Sequence, residues 1–251
     1  MERWQNKVAV VTGASSGIGA AICKTLVENG MIVVGLARRL VKMKITVSKS
    51  ICQDRQHNFH AFKCDVSNED SVKEAFAWIE EKFGGIDVLI NNAGVVKQTT
   101  ILAEKNSEEL LSTINTNVLG VVWCTREAFR SMRHRGDGSG HVIIINSVAG
   151  HVIPHIPGLS LNIYPPSKHA ITAMTEVLRQ ELINENTKIK VTSLSPGAVR
   201  TELSSGTELE FVPETPMLEG EDVANAVLFC LQTPPHVQIH ELIIKPVGEM
   251  V

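Results

Sequence analysis

The stretch Val8-Ala9-Val10-Val11-Thr12-Gly13-Ala14-Ser15-Ser16-Gly17-Ile18-Gly19 joins a short apolar run to three closely spaced glycines. The run Val8–Val11 predicts a buried strand, and apolar residues at helical spacing over Gly17–Glu28 predict a helix directly after the glycines. Glycine permits unusual backbone angles at such a turn and lets main-chain N–H groups approach a pyrophosphate. A plain turn would explain a lone glycine-rich match almost as well. The order of strand, glycines and helix nevertheless favours a dinucleotide-binding fold.

The rest of the chain alternates Val- and Ile-rich runs with amphipathic stretches, the pattern of βαβ units in a parallel sheet. Further strands are predicted at Ile32–Leu36, Phe59–Lys63, Val88–Asn91, Val142–Asn146, Lys190–Leu194 and Ile239–Ile244. Further helices are predicted at Asn68–Lys82, Ser107–Arg133, Ser167–Asn184 and Glu221–Leu231, with Ser67 and Ser107 as candidate caps and Gly30 just past the first helix. Residues 40–58 resist a helical assignment, and residues 202–218 are typical of a long surface loop.

This pattern predicts an α/β fold, a single doubly wound Rossmann-type domain with a seven-stranded parallel sheet flanked by helices on both faces. The domain is expected to span residues 1–251, with a cofactor-binding half at about 1–140 and a catalytic and substrate half at about 141–251.

Composition excludes several classes of protein and partner. Hydrophobic residues make up 43% and charged residues 20% of the chain, with a formal net charge of -3 and no basic run, so we expect a small-molecule partner and no nucleic acid. We find no apolar stretch long enough to span a membrane and no leader-like N-terminus, and we expect a cytoplasmic protein. The five cysteines lack metal-ligand spacing, so we predict no metal site and small buried thiols.

The end of the second predicted strand indicates which dinucleotide binds. Ala37 stands where an enzyme specific for NAD usually places an acidic residue, and Arg38 and Arg39 follow it. Guanidinium groups bind phosphate through charge-assisted forks, so this pattern favours NADP(H). The alternative is a solvated basic pair at a strand end.

Two further segments are expected at the carboxyl edge of the sheet, where open α/β sheets bind ligands. Asp65-Val66 follows the third strand, and Asn92-Ala93-Gly94 follows the fourth. Asp65 could instead serve the start of the next helix, and Asn92-Ala93-Gly94 could be a simple turn.

Several motifs together resemble the short-chain dehydrogenase/reductase family over essentially the whole chain: Thr12-Gly13-x-x-x-Gly17-x-Gly19, Asn91-Asn92-Ala93-Gly94, Asn117, Ser147, Tyr164-x-x-x-Lys168 and Pro196-Gly197. The sequence is most similar to the insect farnesol dehydrogenase-like branch and also resembles a vertebrate keto-steroid and carbonyl reductase. The resemblance implies an NADP(H)-dependent enzyme that forms a homodimer or homotetramer through the helices at Ser107–Arg133 and Ser167–Asn184. It implies cofactor contacts at Gly13, Ser15, Ser16, Gly17, Ile18, Gly19, Arg38, Arg39, Asp65, Val66, Asn92, Ala93, Gly94, Tyr164, Lys168, Pro196, Gly197, Val199 and Thr201.

The chemistry of hydride transfer can also be argued from Tyr164, the only tyrosine. A group must take a proton from the alcohol or return it to the carbonyl, and an isolated phenol, with a pKa of about 10, is a poor base. Lys168, one helical turn away, is expected to lower the pKa of Tyr164. The resemblance implies that Ser147 binds the substrate oxygen, Lys168 the nicotinamide ribose and Asn117 a water. Alternatively, Ser147 caps its strand, Asn117 serves its own helix and Lys168 is solvated.

Pro165 and Pro166 depart from the family pattern, which has small residues after the tyrosine. Proline biases the preceding residue away from helical angles, so Tyr164 could be displaced from Lys168. We predict that the helix begins at or just before Tyr164, with the prolines in its first turn. The alternative hypothesis is a catalytically impaired NADP(H)-binding sensor or scaffold.

Two apolar segments are predicted to form the walls of a substrate pocket that suits a lipophilic alcohol or carbonyl compound. A farnesol-like terpenoid is favoured, and a keto-steroid or a xenobiotic carbonyl is the alternative. The two walls are expected from Val152, Ile153, Ile156, Leu159 and Leu161 on one side and Leu203, Leu209, Phe211 and Val212 on the other.

Overall fold

The computed structural model describes residues 1–153, 160–202 and 216–249. Across those residues, seven strands form one sheet in the order β3-β2-β1-β4-β5-β6-β7, and every neighbouring pair is parallel. The strands are β1 Val8–Thr12, β2 Ile32–Ala37, β3 Phe59–Lys63, β4 Val88–Asn91, β5 Ser139–Ile145, β6 Lys188–Pro196 and β7 Glu241–Ile244. The predicted doubly wound α/β fold is therefore confirmed.

Helices cover both faces of this sheet. The α-helices are α1 Gly17–Glu28, α2 Leu40–Ser50, α3 Glu69–Phe83, α4 Ser107–Ile114, α5 Gly120–Arg133, α6 Tyr164–Asn184 and α7 Gly220–Gln232. Short 3₁₀ turns lie at Glu2–Trp4, Gln53–Asn58 and Val148–Gly150. Helices α1, α2 and α7 pack on one face of the sheet, and α3, α5 and α6 pack on the other.

The two-residue period of a strand explains the two cores. Ala9 and Val11 of β1 point to the face with α1 and α7, whereas Val8 and Val10 point to the face with α3 and α5. All four are buried. A strand buried on both faces is continuously apolar, which is why the short run at the start of the sequence identifies a central strand.

The strand bounds agree with the predictions at β3 and β4 and differ elsewhere. β1, β2 and β6 are longer than predicted, and β5 begins earlier and ends at Ile145. β7 begins at Glu241 instead of Ile239, because the Ile239 carbonyl accepts its hydrogen bond from the Thr192 side chain at 2.7 Å and not from a strand backbone.

Three helix predictions are corrected. The segment predicted to be irregular forms α2, because Met43 and Val47, four residues apart, are buried on one helical face. Helix α3 is capped by Asn68, which accepts from Ser71 N at 2.9 Å, and not by Ser67. Ser107 is the first residue of α4 and does not cap it.

The single helix predicted over Ser107–Arg133 is interrupted. A π-helical turn, Asn115–Leu119, joins α4 to α5. Helix α6 starts at Tyr164, three residues before the predicted segment Ser167–Asn184 and where the proline argument placed its start. Gly30, with a φ of 85°, occupies the C′ position directly after Asn29, the C-cap residue of α1, as predicted.

Cysteine burial follows the prediction with one exception. Four free cysteines are buried, whereas Cys52 is exposed because it lies in the connection between α2 and the 3₁₀ turn at Gln53–Asn58. In the described ranges, no three metal-ligating side chains cluster together. The helices of those ranges include none with an apolar stretch that could cross a bilayer.

The sheet order reverses direction between β1 and β4, which are neighbours in space but not in sequence. Such a reversal leaves a crevice at the carboxyl ends of the strands, between loops that leave toward opposite faces. The predicted site residues come from these loops and from the starts of α1 and α6 and the helical turn at Asn115–Leu119.

Candidate active site

The glycine-rich turn between β1 and α1 presents an open helix N-terminus. Gly13 and Gly17 have φ angles of 69° and 52°, the left-handed region that glycine adopts without strain. Ser16, the N-cap residue of α1, makes no capping hydrogen bond through its side chain. The first-turn N–H groups of α1 are therefore available to an anion such as a pyrophosphate.

Asn92 and Ala93 brace this turn. Thr12 Oγ1 accepts hydrogen bonds from the N–H groups of Asn92 and Ala93, both at 3.0 Å, and Asn92 Nδ2 donates to Thr12 O at 2.8 Å. A Cβ on Gly19 would lie 2.5 Å from Gly13 O and 2.6 Å from Asn92 Nδ2. Asn92-Ala93-Gly94 is thus more than a simple turn, because it holds the glycine-rich turn against the sheet.

The end of β2 carries a cluster of charges beside the glycine-rich turn. Arg38 and Arg39 are both exposed, and the Arg39 guanidinium donates to Ser15 Oγ at 3.1 Å and Ser16 Oγ at 3.0 Å. Arg39 also pairs with Glu202 at 3.0 Å, and Lys42 pairs with the same carboxylate. The alternative of a merely solvated basic pair does not hold for Arg39.

Lys42 and Glu202 were not anticipated from the sequence. Lys42 lies in α2, where the amino-acid pattern did not predict a helix, and Glu202 lies 160 residues further along the chain. The available signal for Lys42 was its position three residues after Arg39, which places the two cations on neighbouring positions of a helical turn.

Asp65 and Val66 lie beyond β3 at the same edge of the sheet. Asp65 Oδ1 accepts from Ser67 N at 3.1 Å and from Ser67 Oγ at 2.7 Å, so this oxygen orders the turn before α3. Val66 is buried and contacts the backbone of α5, where a Cβ on Gly120 would lie 3.0 Å from Val66 Cγ2. Asp65 therefore serves the start of α3 and also lies at the carboxyl edge of the sheet.

Tyr164 and Ser147 come together at the carboxyl end of β5. Ser147 begins the 3₁₀ turn Val148–Gly150, where its Oγ accepts from Ala149 N at 3.1 Å. The Ser147 side chain lies close enough to the Tyr164 hydroxyl to lower the pKa of the phenol. Since Ser147 Oγ accepts from Ala149, its O–H remains able to donate to the phenolic oxygen.

Pro165 does not displace Tyr164. Helix α6 accepts proline in its first turn, where the missing N–H has no intrahelical partner. Tyr164 N donates to Leu161 O at 3.0 Å, and Ser167 Oγ donates to Tyr164 O at 2.6 Å. The predicted arrangement, with Tyr164 and Lys168 on one face of the helix, is present.

Lys168 is buried beneath the tyrosine ring. Its Nζ is 5.7 Å from the centroid of the Tyr164 ring and donates to Ile145 O at 3.0 Å. Burial lowers the pKa of Lys168 to about 8, because a desolvated ammonium is disfavoured. The alternative of a solvated lysine is wrong.

The predicted effect of Lys168 on Tyr164 is also corrected. Burial raises the pKa of Tyr164, and the hydrogen bond with Ser147 acts in the opposite direction. Burial dominates because the phenolate loses its hydration while the neighbouring ammonium is itself desolvated. The tyrosine of this structure is therefore a neutral phenol at neutral pH.

Asn117 lies in the π-helical turn, an irregularity that is common at functional sites. Its side chain pairs with the backbone of Val95 in both directions, through Oδ1 to N at 2.8 Å and Nδ2 to O at 2.9 Å. Nδ2 also lies 3.1 Å from Ser167 Oγ. Asn117 thus joins the loop after β4 to the start of α6 instead of serving its own helix.

The segment after β6 runs past the glycine-rich turn. Gly197 N donates to Ile244 O at 2.8 Å, and Val199 forms a bridge with Leu218. A Cβ on Gly17 would lie 3.0 Å from Thr201 Cγ2. This segment therefore reaches from β7 to the start of α1, along the crevice between the two groups of candidate residues.

The predicted substrate walls are described only in part. Val152 and Ile153 are exposed, with 46% and 72% of their surface accessible, and Leu161 is half-buried. The other members of the two walls lie outside the described residues: Ile156, Leu159, Leu203, Leu209, Phe211 and Val212.

Similarity to known proteins agrees with this geometry. A profile of the family described as short chain dehydrogenase matches residues 7–210. A farnesol dehydrogenase of Aedes aegypti is 51% identical over 249 residues, covering 99% of each chain. The mouse dehydrogenase/reductase SDR family member 11 is 38% identical over 257 aligned residues, covering 100% of this chain and 98% of the relative.

Solved structures with the same fold have been determined with a bound nicotinamide cofactor. The closed form of a serine dehydrogenase complexed with NADP+ matches with a TM-score of 0.83 and 28% identity, covering 97% of this chain and 96% of that one. A short-chain dehydrogenase from Burkholderia cenocepacia in complex with NADP matches with a TM-score of 0.82 and 27% identity, covering 97% and 98%.

Proposed function

Because the chain belongs to the short-chain dehydrogenase/reductase family, we propose that it is an NADP(H)-dependent oxidoreductase that interconverts a lipophilic alcohol and its carbonyl compound. A farnesol-like terpenoid is the favoured substrate. The observation that carries the proposal is the placement of Tyr164 beside Ser147 and over the buried Lys168, whose Nζ is 5.7 Å from the centroid of the Tyr164 ring.

The donor set at the glycine-rich turn fits a dinucleotide with a 2′-phosphate. The uncapped N-terminus of α1 suits a pyrophosphate, and Arg39 with Lys42 suits a phosphate on the adenosine ribose. Ala37, at the end of β2, supplies no carboxylate for a ribose hydroxyl. When bound, the cofactor supplies or accepts the hydride.

Tyr164 is the proposed acid and base. Its neutral phenol can donate a proton to a carbonyl oxygen during reduction, and the phenolate can take the proton back from an alcohol. Ser147 contributes a second hydroxyl to the substrate oxygen. It also stabilises the Tyr164 phenolate and so lowers the pKa of the phenol. These two groups orient the substrate oxygen and hold its proton.

Lys168 supports the proton transfer from beneath the ring. With a pKa of about 8, its amine is mostly charged at neutral pH but gives up a proton more readily than an exposed lysine, so it can take part in proton exchange. We propose that it holds the nicotinamide ribose and that Asn117 positions the water that connects it to solvent.

A lipophilic substrate is favoured by the apolar side chains that follow the Ser147 turn. Val152 and Ile153 follow the Ser147 turn and expose much of their surface. Removing this surface from water would favour a hydrocarbon ligand. The name of the Aedes aegypti relative, with which this chain shares 51% of its residues, favours farnesol among lipophilic alcohols.

Steady-state assays with product identification test the proposal. Farnesol, a keto-steroid and a panel of xenobiotic carbonyls should be assayed in both directions with NADP(H) and NAD(H). We expect farnesol oxidation or the reverse reduction to have the highest kcat/KM, with NADP(H) preferred. An absence of turnover with every pair would contradict the proposal.

Measurements on the same wild-type protein distinguish the sensor hypothesis from the proposed enzyme. It rested on displacement of Tyr164 by Pro165, yet Tyr164 is the first residue of α6 and contacts Ser147. Cofactor binding, followed by nicotinamide fluorescence, without turnover of any substrate would favour the sensor instead.

We further propose that residues 1–251 form one domain of a cytoplasmic homodimer or homotetramer. Val177 and Ile183 on α6 expose 52% and 67% of their surface, and association of α5 and α6 with a second copy would cover such side chains. Light scattering is expected to give two or four chains per particle, and a single chain would contradict this.

A further inference from the structure

A carboxylate lies inside the cation cluster at the end of β2. Glu202 Oε2 is 3.0 Å from the Arg39 guanidinium, and Oε1 pairs with Lys42 Nζ. Ser16 Oγ, in the glycine-rich turn, accepts from Arg39 at 3.0 Å beside this ion pair. Two cations at the start of α2 therefore converge on one anionic side chain next to the glycine-rich turn.

We propose that Glu202 is a specificity-determining residue whose carboxylate occupies the anion position that the 2′-phosphate of NADP(H) would take. Its charge then weakens binding of the phosphorylated cofactor without weakening binding of NAD(H). The inference rests on the proposed NADP(H)-dependent function, and it assigns to Glu202 a role that opposes the cation pair.

The position of Glu202 is set by its neighbour. The Thr201 methyl group packs against Gly17, 3.0 Å from the point where a side chain on that glycine would begin. This contact holds the backbone of residues 201–202 over the glycine-rich turn. The Glu202 carboxylate consequently reaches Arg39 from the side of the crevice.

The carboxylate is ionised at neutral pH. The hydrogen bond from Lys42, helped by those from Arg39 and Ser16, holds the pKa of Glu202 below its ordinary value. About half of each side chain in the Arg39–Glu202 pair is exposed, so solvent screens their attraction and the pair can separate.

The sign of the effect does not depend on whether Glu202 moves. If the 2′-phosphate displaces Glu202, the ion pairs with Arg39 and Lys42 are lost. If Glu202 stays, two anions share the same donors and repel each other. In both cases the glutamate charge opposes a phosphate and has little effect on a neutral ribose hydroxyl.

A different role for Glu202 would change the affinity for the other cofactor, NADH. A carboxylate beside the adenosine ribose can accept hydrogen bonds from the 2′- and 3′-hydroxyls, as the acidic residue at the end of the second strand does in NAD enzymes. In that case, neutralising Glu202 would weaken the binding of NADH, because the ribose hydroxyls lose their acceptor.

The test is the variant Glu202→Gln, which keeps the shape and removes the charge. Dissociation constants should be measured for NADPH and NADH by nicotinamide fluorescence, and for adenosine 2′,5′-bisphosphate and adenosine 5′-monophosphate by calorimetry. We expect the two 2′-phosphorylated ligands to bind about 3- to 10-fold more tightly and the other two to change less than about twofold.

Glu185→Gln is the matched control, because Glu185 forms an ion pair of similar exposure with Arg133, 2.8 Å away, at the end of α6, which packs on the face of the sheet opposite to α1 and α2. This control variant should leave the dissociation constants of both cofactors unchanged. Equal changes for both cofactors in Glu202→Gln, no change, or weakened NADH would each overturn the inference. Glu202→Ala should repeat the sign of the Gln variant.

The two proposals fail in different ways. Wild-type protein that binds NADH at least as tightly as NADPH would contradict the proposed cofactor preference. The present inference instead concerns the ratio of the two dissociation constants in Glu202→Gln relative to wild type, and it fails when that ratio stays constant.

Discussion

The two ends of the candidate site are built from different environments. At the catalytic end, Lys168 is 7% exposed and its amine is held by a main-chain carbonyl. At the adenosine end, the Arg39 side chain is 53% exposed and is held by hydroxyls and a carboxylate. One end is desolvated and the other is in contact with water.

The difference separates chemistry from recognition. Burial changes the pKa values of Tyr164 and Lys168 directly, so in the proposed function this end would control proton transfer. The charges of Arg39 and Lys42 would act on a bound ligand through a screened field, so in the proposed function they would set the relative affinities for the two cofactors. Substitutions at the buried end should therefore affect turnover, and those at the exposed end should affect the choice of cofactor.

Tyr164→Phe tests the buried end most strongly. Removal of the phenolic oxygen leaves no group to exchange a proton with the substrate oxygen, so we expect kcat/KM to fall by about 10²- to 10⁴-fold. Cofactor affinity, measured by nicotinamide fluorescence, should be retained. Activity close to that of the wild type would show that another group transfers the proton.

Ser147→Ala should change both the rate and its pH dependence. Carbonyl reduction needs the neutral phenol, so its rate falls as the pH rises through the pKa of Tyr164. The hydrogen bond with Ser147 lowers that pKa, so its loss moves the alkaline decline to higher pH. We also expect kcat to fall by about 10²-fold, since the substrate oxygen loses a donor.

The measurement is kcat for reduction as a function of pH in both proteins. Ser160→Ala is a suitable control, because Ser160 Oγ contacts only the nearby Asn162 N–H among the described interactions. A decline that stays at the same pH, or moves to lower pH, would contradict the assigned coupling.

Arg39→Ala tests the exposed end. Loss of the guanidinium removes one charge-assisted contact to a 2′-phosphate, and we expect the dissociation constant of NADPH to rise on the order of tenfold, with little change for NADH. Titration of both cofactors measures the ratio, and Arg133→Ala, at the end of α5, is the control. Equal weakening of both cofactors would indicate a general structural effect.

Pro165→Ala should have the smallest effect. Because Tyr164 is already helical and bonded to Ser147, relief from the proline constraint changes little, and kcat/KM should change less than about twofold. A large gain in activity would mean that the proline does displace the tyrosine in solution. Thermal unfolding of both proteins checks that the substitution leaves stability intact.

Local pattern was sufficient for much of the fold and for proposing the candidate catalytic residues. The continuous apolar run of β1 and the glycines behind it predict the first βα unit, because strand burial and turn geometry depend on adjacent residues. The spacing of Tyr164 and Lys168 places them on one helical face, because a helix repeats every 3.6 residues. The Ala37-Arg38-Arg39 pattern likewise uses adjacent residues alone, and it predicts two cations at the end of β2.

Other features depend on contacts between distant parts of the chain. The π-helical turn at Asn117 accompanies pairing of its side chain with Val95, 22 residues away. The raised pKa of Tyr164 follows from burial, which a motif does not contain.

Glu202 is the clearest case of this division. Sequence identifies Arg39 as a cation at a strand end, but its partner comes from a segment 163 residues later, by the numbering of the two residues. Local propensity depends on neighbours along the chain, whereas electrostatic competition and desolvation depend on distance in space. The fold class and the candidate catalytic residues could thus be inferred from adjacent residues, and the balance of charge around the proposed cofactor site only from the folded arrangement.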